Sequence, residues 1–202
     1  DVPYLPIDPK DVGRTYDSDV IRINSQSGKG GVSYVLKNHF GLVLPAKMRE
    51  DVGYAVKHVS DVEHKELSPQ KIYEVFRAKY FLYQEHFSVK ACHFQQVQGI
   101  RAEMTVACDG KEDTVIASGN GRLDAASNAL KQYFNTEYKL QVYEEHALSQ
   151  GSASQAASYI GIEDAEGRMH WGVGFDGDIV KASIHALSVA VNHLLDCAAK
   201  KN

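Results

Sequence analysis

The sequence is poor in cysteine and has no metal-binding pattern. Among 202 residues there are three cysteines, Cys92, Cys108 and Cys197, and they are widely spaced. An odd number of scattered cysteines does not make a disulfide framework, so we expect reduced structural thiols. Neither Cys-x-x-Cys nor His-x-His occurs. The sequence therefore predicts no bound metal in this chain.

Long hydrophobic runs and clustered positive charge are also missing. No apolar run approaches the ~18 residues of a membrane span. The net charge is −4, and lysines and arginines are scattered along the chain. Because phosphate binding requires a basic face, we do not expect nucleic acid as a partner. Because no apolar run is long enough, we do not expect a membrane as a partner either. With no signal peptide pattern, a cytoplasmic location is expected.

The proline-rich start of the chain predicts an extended linker segment over residues 1–27. Pro3, Pro6 and Pro9 fix their own φ angles and push the preceding residues toward extended conformations. The missing initiator Met leads us to expect that another segment precedes this one. Gly28-Lys29-Gly30-Gly31 follows, before a predicted helix. Such a stretch can cradle a phosphate, but the Walker spacing is absent and a structural turn is the favoured interpretation.

Helix signals dominate residues 28–86, which predict a small helical linker subdomain. Gly41 ends the first helix, Pro45 suits the first turn of the second, and Ser68-Pro69 is typical of an N-cap followed by N1. The second and third helices carry apolar stripes at helical spacing: Met48, Val52, Val56 and Val59, then Ile72, Val75, Phe76 and Tyr80.

Residues 87–202 predict two copies of a strand–strand–strand–helix unit. The hydrophobic period changes to two near Phe87, and Asp109-Gly110 is a strong hairpin signal. Predicted helices cover residues 121–134 and 178–200, and the Ala-Leu pair of the first recurs in the second. The sequence thus predicts an α+β fold in which the helical subdomain precedes a pseudo-twofold domain of two βββα units.

The stretch from Ser118 to Leu123 predicts an anion site at the start of the first of these helices. Its glycines allow close approach to backbone N–H groups, Asn120 is a good N-cap, and Asp124 adds a negative charge to the first turn. Free N–H groups at a helix start can bind a carboxylate. Trp171-Gly172-Val173-Gly174 looks like a second copy. The alternative is that both Gly-x-Gly pairs only permit close strand–helix packing.

Several longer motifs resemble 2-isopropylmalate synthase. Residues 3–14 and 21–32 resemble its linker region. Four further motifs resemble its C-terminal regulatory domain: Gly119-Asn120-Gly121, Glu145-His146-Ala147, Gln155-Ala156-Ala157-Ser158-Tyr159 and Trp171-Gly172-Val173-Gly174. The resemblance covers essentially the whole chain.

The resemblance implies that the full-length protein condenses acetyl-CoA with 2-oxoisovalerate in leucine biosynthesis. The chemistry would take place in a metal-dependent barrel that this chain lacks. This chain would be the linker plus a leucine-sensing regulatory domain over residues 87–202 that pairs in a homodimer. The resemblance also implies that this fragment holds no cofactor and has no activity alone. A divalent metal would bind in the absent barrel.

The resemblance also implies roles for individual residues. Tyr4 matches a tyrosine that approaches the partner subunit's active site. The positions that match the family's leucine contacts are Gly119, Asn120, Gly121, Leu123, Ala125, Leu140, Tyr143, Ala147, Ser154, Gly177 and Ile179. A leucine carboxylate would meet helix-start N–H groups, and its side chain would contact Leu123, Leu140 and Ile179.

Three alternatives stay open. A related citramalate synthase uses a similar domain to sense isoleucine. A structural dimerisation domain with a decayed effector site is favoured by Arg122, Asp124 and Ala153, which depart from the usual bacterial pattern. A stand-alone phosphate- or nucleotide-binding module would use Gly28 to Gly31, but the sequence offers no acidic metal partner for it.

Overall fold

The computed structural model describes residues 29–148 and 154–201. The predicted linker over residues 1–27, with Tyr4, lies outside the described residues, as do Gly28 and Ala153. The helices are α1 Lys29–Phe40, α2 Met48–Glu63, α3 Pro69–Tyr80, α4 Arg122–Phe134 and α5 Ile179–Ala199. The strands are β1 Phe87–Val97, β2 Gly99–Cys108, β3 Lys111–Gly119, β4 Lys139–Ala147, β5 Ala156–Glu163 and β6 Met169–Asp176. The predicted α+β class, with helices followed by two βββα units, is confirmed.

Local signals explain where the first helices stop and start. Gly41 adopts a positive φ of 72° directly after α1, as expected for a glycine that ends a helix. Ser68 caps α3 because its side chain accepts a hydrogen bond from the Lys71 N–H at 3.2 Å, and Pro69 opens the helix. These predictions are confirmed.

Two helix-start predictions are wrong. Pro45 does not lie in the first turn of α2; its carbonyl accepts from the Met48 N–H at 3.0 Å in the turn that precedes the helix. Gly30 and Gly31 do not form a loop before a helix, because α1 already begins at Lys29. The N–H groups of a first helical turn have no intrahelical partners, so glycines there weaken the helix less than in its middle.

Each triplet of strands forms its own antiparallel sheet, in the order β1-β2-β3 and β4-β5-β6. Asp109 and Gly110 join β2 to β3 with φ of 51° and 74°, the positive values that a two-residue hairpin turn requires. Helix α4 packs on β2 and β3, α5 packs on β5 and β6, and the two helices touch each other. The two βββα units therefore meet through their helices, around one apolar core.

The second sheet is buried on both faces. β5 and β6 are covered along almost their whole length. Tyr159, Trp171 and Val173 pack into the core built by α1, α2 and α3, whereas Ile160 and Ile162 pack into the core shared with α4 and α5. Alternate residues of a strand point to opposite faces, so this sheet is the layer that joins the helical segment to the first βββα unit.

Helix α5 is buried on all sides along its middle. Every residue from Ala182 to Asn192 is buried, because the helix lies on β5 and β6 and also touches α3, α4 and β1. Ala198, near the C-terminal end of the helix, is exposed beyond the end of this packing.

The glycines of β6 serve this packing. A Cβ on Gly172 would lie 1.9 Å from the Ala186 carbonyl oxygen, and one on Gly174 would lie 1.8 Å from that of Ala182. Both are backbone atoms, so a side chain would push the helix away from the strand. At β6 the close-packing alternative is therefore correct, and these two glycines face α5.

Candidate functional site

A small cleft lies where four elements of the second βββα unit end or begin. Its volume is about 250 Å³, and it is lined by Glu145, His146, Ala147, Ser154, Gln155, Ala156, Gly177 and Ile179. These residues come from the end of β4, the segment leading into β5, and the β6–α5 junction. Four of the eleven predicted effector residues line it together: Ala147, Ser154, Gly177 and Ile179.

Tyr143 connects this cleft to a buried hydroxyl network. Its hydroxyl donates to Glu145 Oε2 at 2.6 Å and lies 2.9 Å from Ser183 Oγ. Ser183 in turn accepts from Ser158 at 3.1 Å and donates to the Ile179 carbonyl at 2.7 Å. Burial, together with the hydrogen bond to Glu145, raises the pKa of Tyr143. The neutral hydroxyl therefore orients the Glu145 carboxylate beside the cleft.

The cleft presents hydrogen-bond acceptors. Gln155 Oε1 is buried and has no hydrogen-bond partner among the described residues, and the Glu145 carboxylate lies on the same lining. A buried acceptor without a partner costs free energy that a donor on a ligand would recover. The arrangement therefore suits a small ligand that carries N–H donors, together with an apolar part that contacts Ile179 and Ala147.

His146 ties the cleft to the helical segment, and sequence reasoning did not assign it to the site. Its Nδ1 lies 3.1 Å from the Ala147 carbonyl and acts as donor there, so Nε2 is the acceptor. Nε2 accepts from the Val43 N–H at 3.2 Å and from the Tyr159 hydroxyl at 2.9 Å. Val43 lies between α1 and α2. The only sequence signal was the Glu145-His146-Ala147 motif.

The predicted residues around α4 do not line this cleft. Ala125 is fully buried and its N–H donates to the Gly121 carbonyl at 2.9 Å. Leu123 is half-buried and packs against the core around α4 and α5. Gly119 ends β3, and a Cβ there would meet the Ala125 nitrogen at 2.5 Å. In the single chain, these positions shape the β3–α4 junction.

The predicted cap of α4 is wrong. Gly121, not Asn120, is the N-cap residue, and it has no side chain to cap with. Asp124 replaces it by reaching back to accept the Asn120 N–H at 2.8 Å. One N–H of the stretch that was predicted to bind an anion, that of Asn120, is therefore already bonded to a carboxylate of the chain. At the start of α5, Asp178 likewise accepts the Val180 N–H at 2.9 Å.

Leu140 and Tyr143 lie on the outer strand β4, where they are 36% and 42% exposed. Tyr143 also lines a second cleft of about 350 Å³, together with Pro45, Ala46, Lys47, Gln141, Val142 and Glu144. This cleft separates β4 from the α1–α2 connection. Tyr143 thus lies between the two clefts, and Leu140 beside them on the sheet edge.

The architecture is a paired βββα domain joined to a three-helix segment. In a comparison with known families, residues 66–195 match the family described as the LeuA allosteric (dimerisation) domain. Residues 1–37 match the family described as alpha-isopropylmalate synthase, post-catalytic domain-like. The chain belongs to the LeuA allosteric (dimerisation) domain family.

Individual relatives agree with this assignment. The chain is 46% identical to a 2-isopropylmalate synthase of Desulfitobacterium hafniense, over 96% of the chain and 35% of the relative. It is 44% identical to that of Helicobacter hepaticus, over 96% and 36%, and 40% identical to that of Corynebacterium efficiens, over 97% and 34%. The chain spans about a third of the length of the relatives it matches.

Among the described helices, none combines the length and the apolar character needed to cross a membrane.

Proposed function

We propose that this chain is the leucine-binding regulatory and dimerisation region of a cytoplasmic 2-isopropylmalate synthase. The full-length enzyme would condense acetyl-CoA with 2-oxoisovalerate and be inhibited by leucine. The observation that carries the proposal is the cleft between β4, β5 and α5, which gathers Ala147, Ser154, Gly177 and Ile179 in a member of this family. Its volume of about 250 Å³ suits a ligand smaller than drug-sized molecules.

The polar lining supports a free amino acid as the ligand. The α-ammonium group would donate to Glu145 and to the unpartnered Gln155 Oε1. The isobutyl group would contact Ile179 and Ala147, a burial that contributes about 1.5–3 kcal/mol. Because Gly177 lines the cleft and the predicted residues around α4 do not, we assign the carboxylate to the Gly177 side of the cleft.

The decisive experiment is calorimetric titration of the chain with leucine and with isoleucine, with variants of Ile179 and Lys181. Ile179→Asp places a charge in the apolar wall and should abolish leucine binding. It occupies the first position of α5, where the helix dipole favours an acid, so the fold should be kept. Lys181→Asp is the matched control, because Lys181 is exposed on the same helix and does not line the cleft.

The outcomes separate the remaining alternatives. Tighter binding of isoleucine than leucine would favour a citramalate synthase regulatory domain. A dimer that binds neither would favour a structural domain with a decayed site. Undiminished leucine binding by Ile179→Asp would mean that the effector lies elsewhere.

Dimerisation through residues 87–202 is the second part of the proposal. The strands of these units expose Val97, Ile116, Leu140 and Tyr143, and a second copy would cover such apolar side chains. Light scattering at tens-of-micromolar concentration, with and without leucine, tests it. A monomer under both conditions would contradict it.

Catalysis itself is assigned to the part of the relatives that this chain does not span. We propose that the divalent metal binds in that catalytic barrel and that this chain alone does not turn over acetyl-CoA and 2-oxoisovalerate. Tyr4 would approach the active site of the partner subunit. In the full-length enzyme, Tyr4→Phe should lower turnover or weaken leucine inhibition, and unchanged kinetics would reduce Tyr4 to a packing role.

A further inference from the structure

Three metal-ligating side chains meet at the end of the second βββα unit that lies away from the cleft. Asp164 follows β5, His170 lies in β6, and Cys197 lies in the last turns of α5. Their ligand atoms all lie within 4.8 Å of one another. We propose that Asp164, His170 and Cys197 form a binding site for a divalent transition-metal ion of the zinc type.

The carboxylate of Asp164 is held ready for this role. Its Oδ1 accepts the backbone N–H groups of Glu166 and Arg168, both at 2.9 Å. Gly167, with a φ of 79°, completes this turn. The other oxygen, Oδ2, faces His170 Nε2 at 2.9 Å. Outer hydrogen bonds that orient a ligating carboxylate are a usual feature of metal sites and strengthen metal affinity.

The ligand set selects the kind of ion. Zinc binds imidazole nitrogen and carboxylate oxygen at about 2.0–2.2 Å and thiolate sulfur at about 2.3 Å. In a tetrahedron these bonds separate the ligand atoms by roughly 3.3–3.8 Å, so the Asp164–His170 pair would open slightly and the thiol would move inward. Thiolate and imidazole donors favour Zn²⁺ or Co²⁺, whereas Mg²⁺ and Ca²⁺ require oxygen ligands.

The Arg168 side chain would compete with this ion for the Asp164 carboxylate. Its Nε donates to Asp164 Oδ2 at 3.0 Å, and its Nη2 bonds Glu166 at 3.1 Å. The Arg168 side chain is 42% exposed, so it can turn away into solvent. A bound ion would replace the positive charge of the guanidinium on Oδ2 and the N–H of His170, whose neutral ring would then carry its proton on Nδ1. The thiol proton of Cys197 would be released to solvent on binding.

The position of the site gives it a structural consequence. His170 lies near the start of β6, and Gly177 follows the end of the same strand. Cys197 and Ile179 occupy opposite ends of α5. A metal ion would therefore tie the β5–β6 turn to the end of α5 and brace the two elements that carry the cleft.

Cobalt titration of the chain tests the proposal directly. We expect one Co²⁺ per chain, with a thiolate-to-cobalt charge-transfer band that Zn²⁺ removes and Mg²⁺ does not. Cys197→Ser should abolish the band and weaken Zn²⁺ binding at least about tenfold, as measured by calorimetry. Cys92→Ser and Cys108→Ser are matched controls, because these thiols lie in the other βββα unit, and both variants should keep the band.

A second variant makes the test independent of any damage to the fold. Arg168→Gln removes the competing cation and keeps the three ligands, so it should bind Zn²⁺ more tightly than the unaltered chain. The unaltered chain should also unfold at a higher temperature with Zn²⁺ present, and Cys197→Ser should not. Absence of the cobalt band from both the unaltered chain and Arg168→Gln would overturn the proposal. So would a band that survives in Cys197→Ser.

Discussion

At the scale of single residues, Asn192 shows how a buried polar side chain positions a strand. It is completely buried in α5. Its Oδ1 accepts the N–H groups of His86 and Phe87 at 2.8 and 3.2 Å, and its Nδ2 donates to the carbonyls of Phe87 and Ser188 at 3.1 and 2.8 Å. One amide thus satisfies the backbone at the start of β1 and fixes it to α5.

Replacing this amide should be costly. Asn192→Leu removes the side-chain partner of three backbone groups of His86 and Phe87, and we expect the free energy of unfolding to fall by about 2–4 kcal/mol. Urea unfolding measures the change. Asn128→Leu is the matched control, since Asn128 makes a single bond to the Ser118 carbonyl at 2.9 Å near the surface. Equal losses in the two variants would contradict the role given to Asn192.

His185 should make stability depend on pH. Burial lowers its pKa to about 4, although the hydrogen bond from Nε2 to the Phe81 carbonyl opposes the shift. Between this value and the ordinary value of about 6.5, the unfolded chain binds the proton and the folded chain does not. The stabilising contribution is therefore complete above about pH 6.5 and is lost as the pH falls toward 4, by about 3 kcal/mol in total.

Urea unfolding between pH 4.5 and 7 measures this slope. His185→Gln keeps a donor for the Phe81 carbonyl and removes the titrating group, so its slope should be smaller. His58→Gln, at an exposed histidine, is the control for the change from histidine to glutamine itself. A His185→Gln slope equal to that of the unaltered chain would assign the pH dependence to other groups, such as His193, whose pKa is lowered by burial as well.

At the scale of elements, the contact between β6 and α5 depends on the absence of side chains. Gly172→Ala would drive a methyl group into the backbone of Ala186. We expect a loss of about 1–3 kcal/mol or more, because a strand and a buried helix must separate. Gly30→Ala is the control: nothing lies within 4 Å of the added Cβ, and alanine favours a helix over glycine, by about 0.5–1 kcal/mol in a helix interior and by less in a first turn. Thermal unfolding of both variants should show shifts of opposite sign.

The start of α4 gives a second test at this scale. Asp124→Ala removes the carboxylate that accepts the Asn120 N–H, and the stability should fall by about 0.5–2 kcal/mol, as for the loss of a helix cap. Because Asp124 does not line the cleft around Ile179, leucine affinity measured by calorimetry should stay within twofold, roughly 0.4 kcal/mol. Marked tightening of leucine binding would instead place Asp124 beside the ligand.

At the scale of the whole molecule, the helical segment and the second βββα unit share one core. Trp171, the sole tryptophan, is 2% exposed in that core, beside side chains from α1, α2 and α3. Trp171 fluorescence and far-ultraviolet circular dichroism should therefore report the same unfolding midpoint in urea. Two separated midpoints would mean that the helices unfold independently of the sheet. The division of the chain into domains over residues 28–86 and 87–202 remains a prediction.

The sequence by itself determined the helices and strands and their order, because the signals for them are local. Turn and cap residues such as Asp109, Gly110 and Ser68 act on the backbone within a few positions, and apolar periodicity of 3.6 or 2 distinguishes helix from strand. Helix α3 consequently begins at Pro69, as predicted, and α4 and α5 lie within one residue of their predicted bounds. The repeated βββα pattern could be predicted for the same reason.

Only the tertiary structure decided what the residues of interest contact. Asn120 and Asp124 both suit a helix start, and the path of the chain from β3 into α4 made Gly121 the N-cap residue and left Asp124 to accept the Asn120 N–H. The glycines of β6 were compatible with an anion site or with close strand–helix packing, and the position of α5 against them decides for packing. The cleft gathers residues from 145 to 179, and Asp164 meets Cys197 from far along the chain. Contacts between distant positions depend on how packed elements are oriented, and no local pattern in the sequence encodes that orientation.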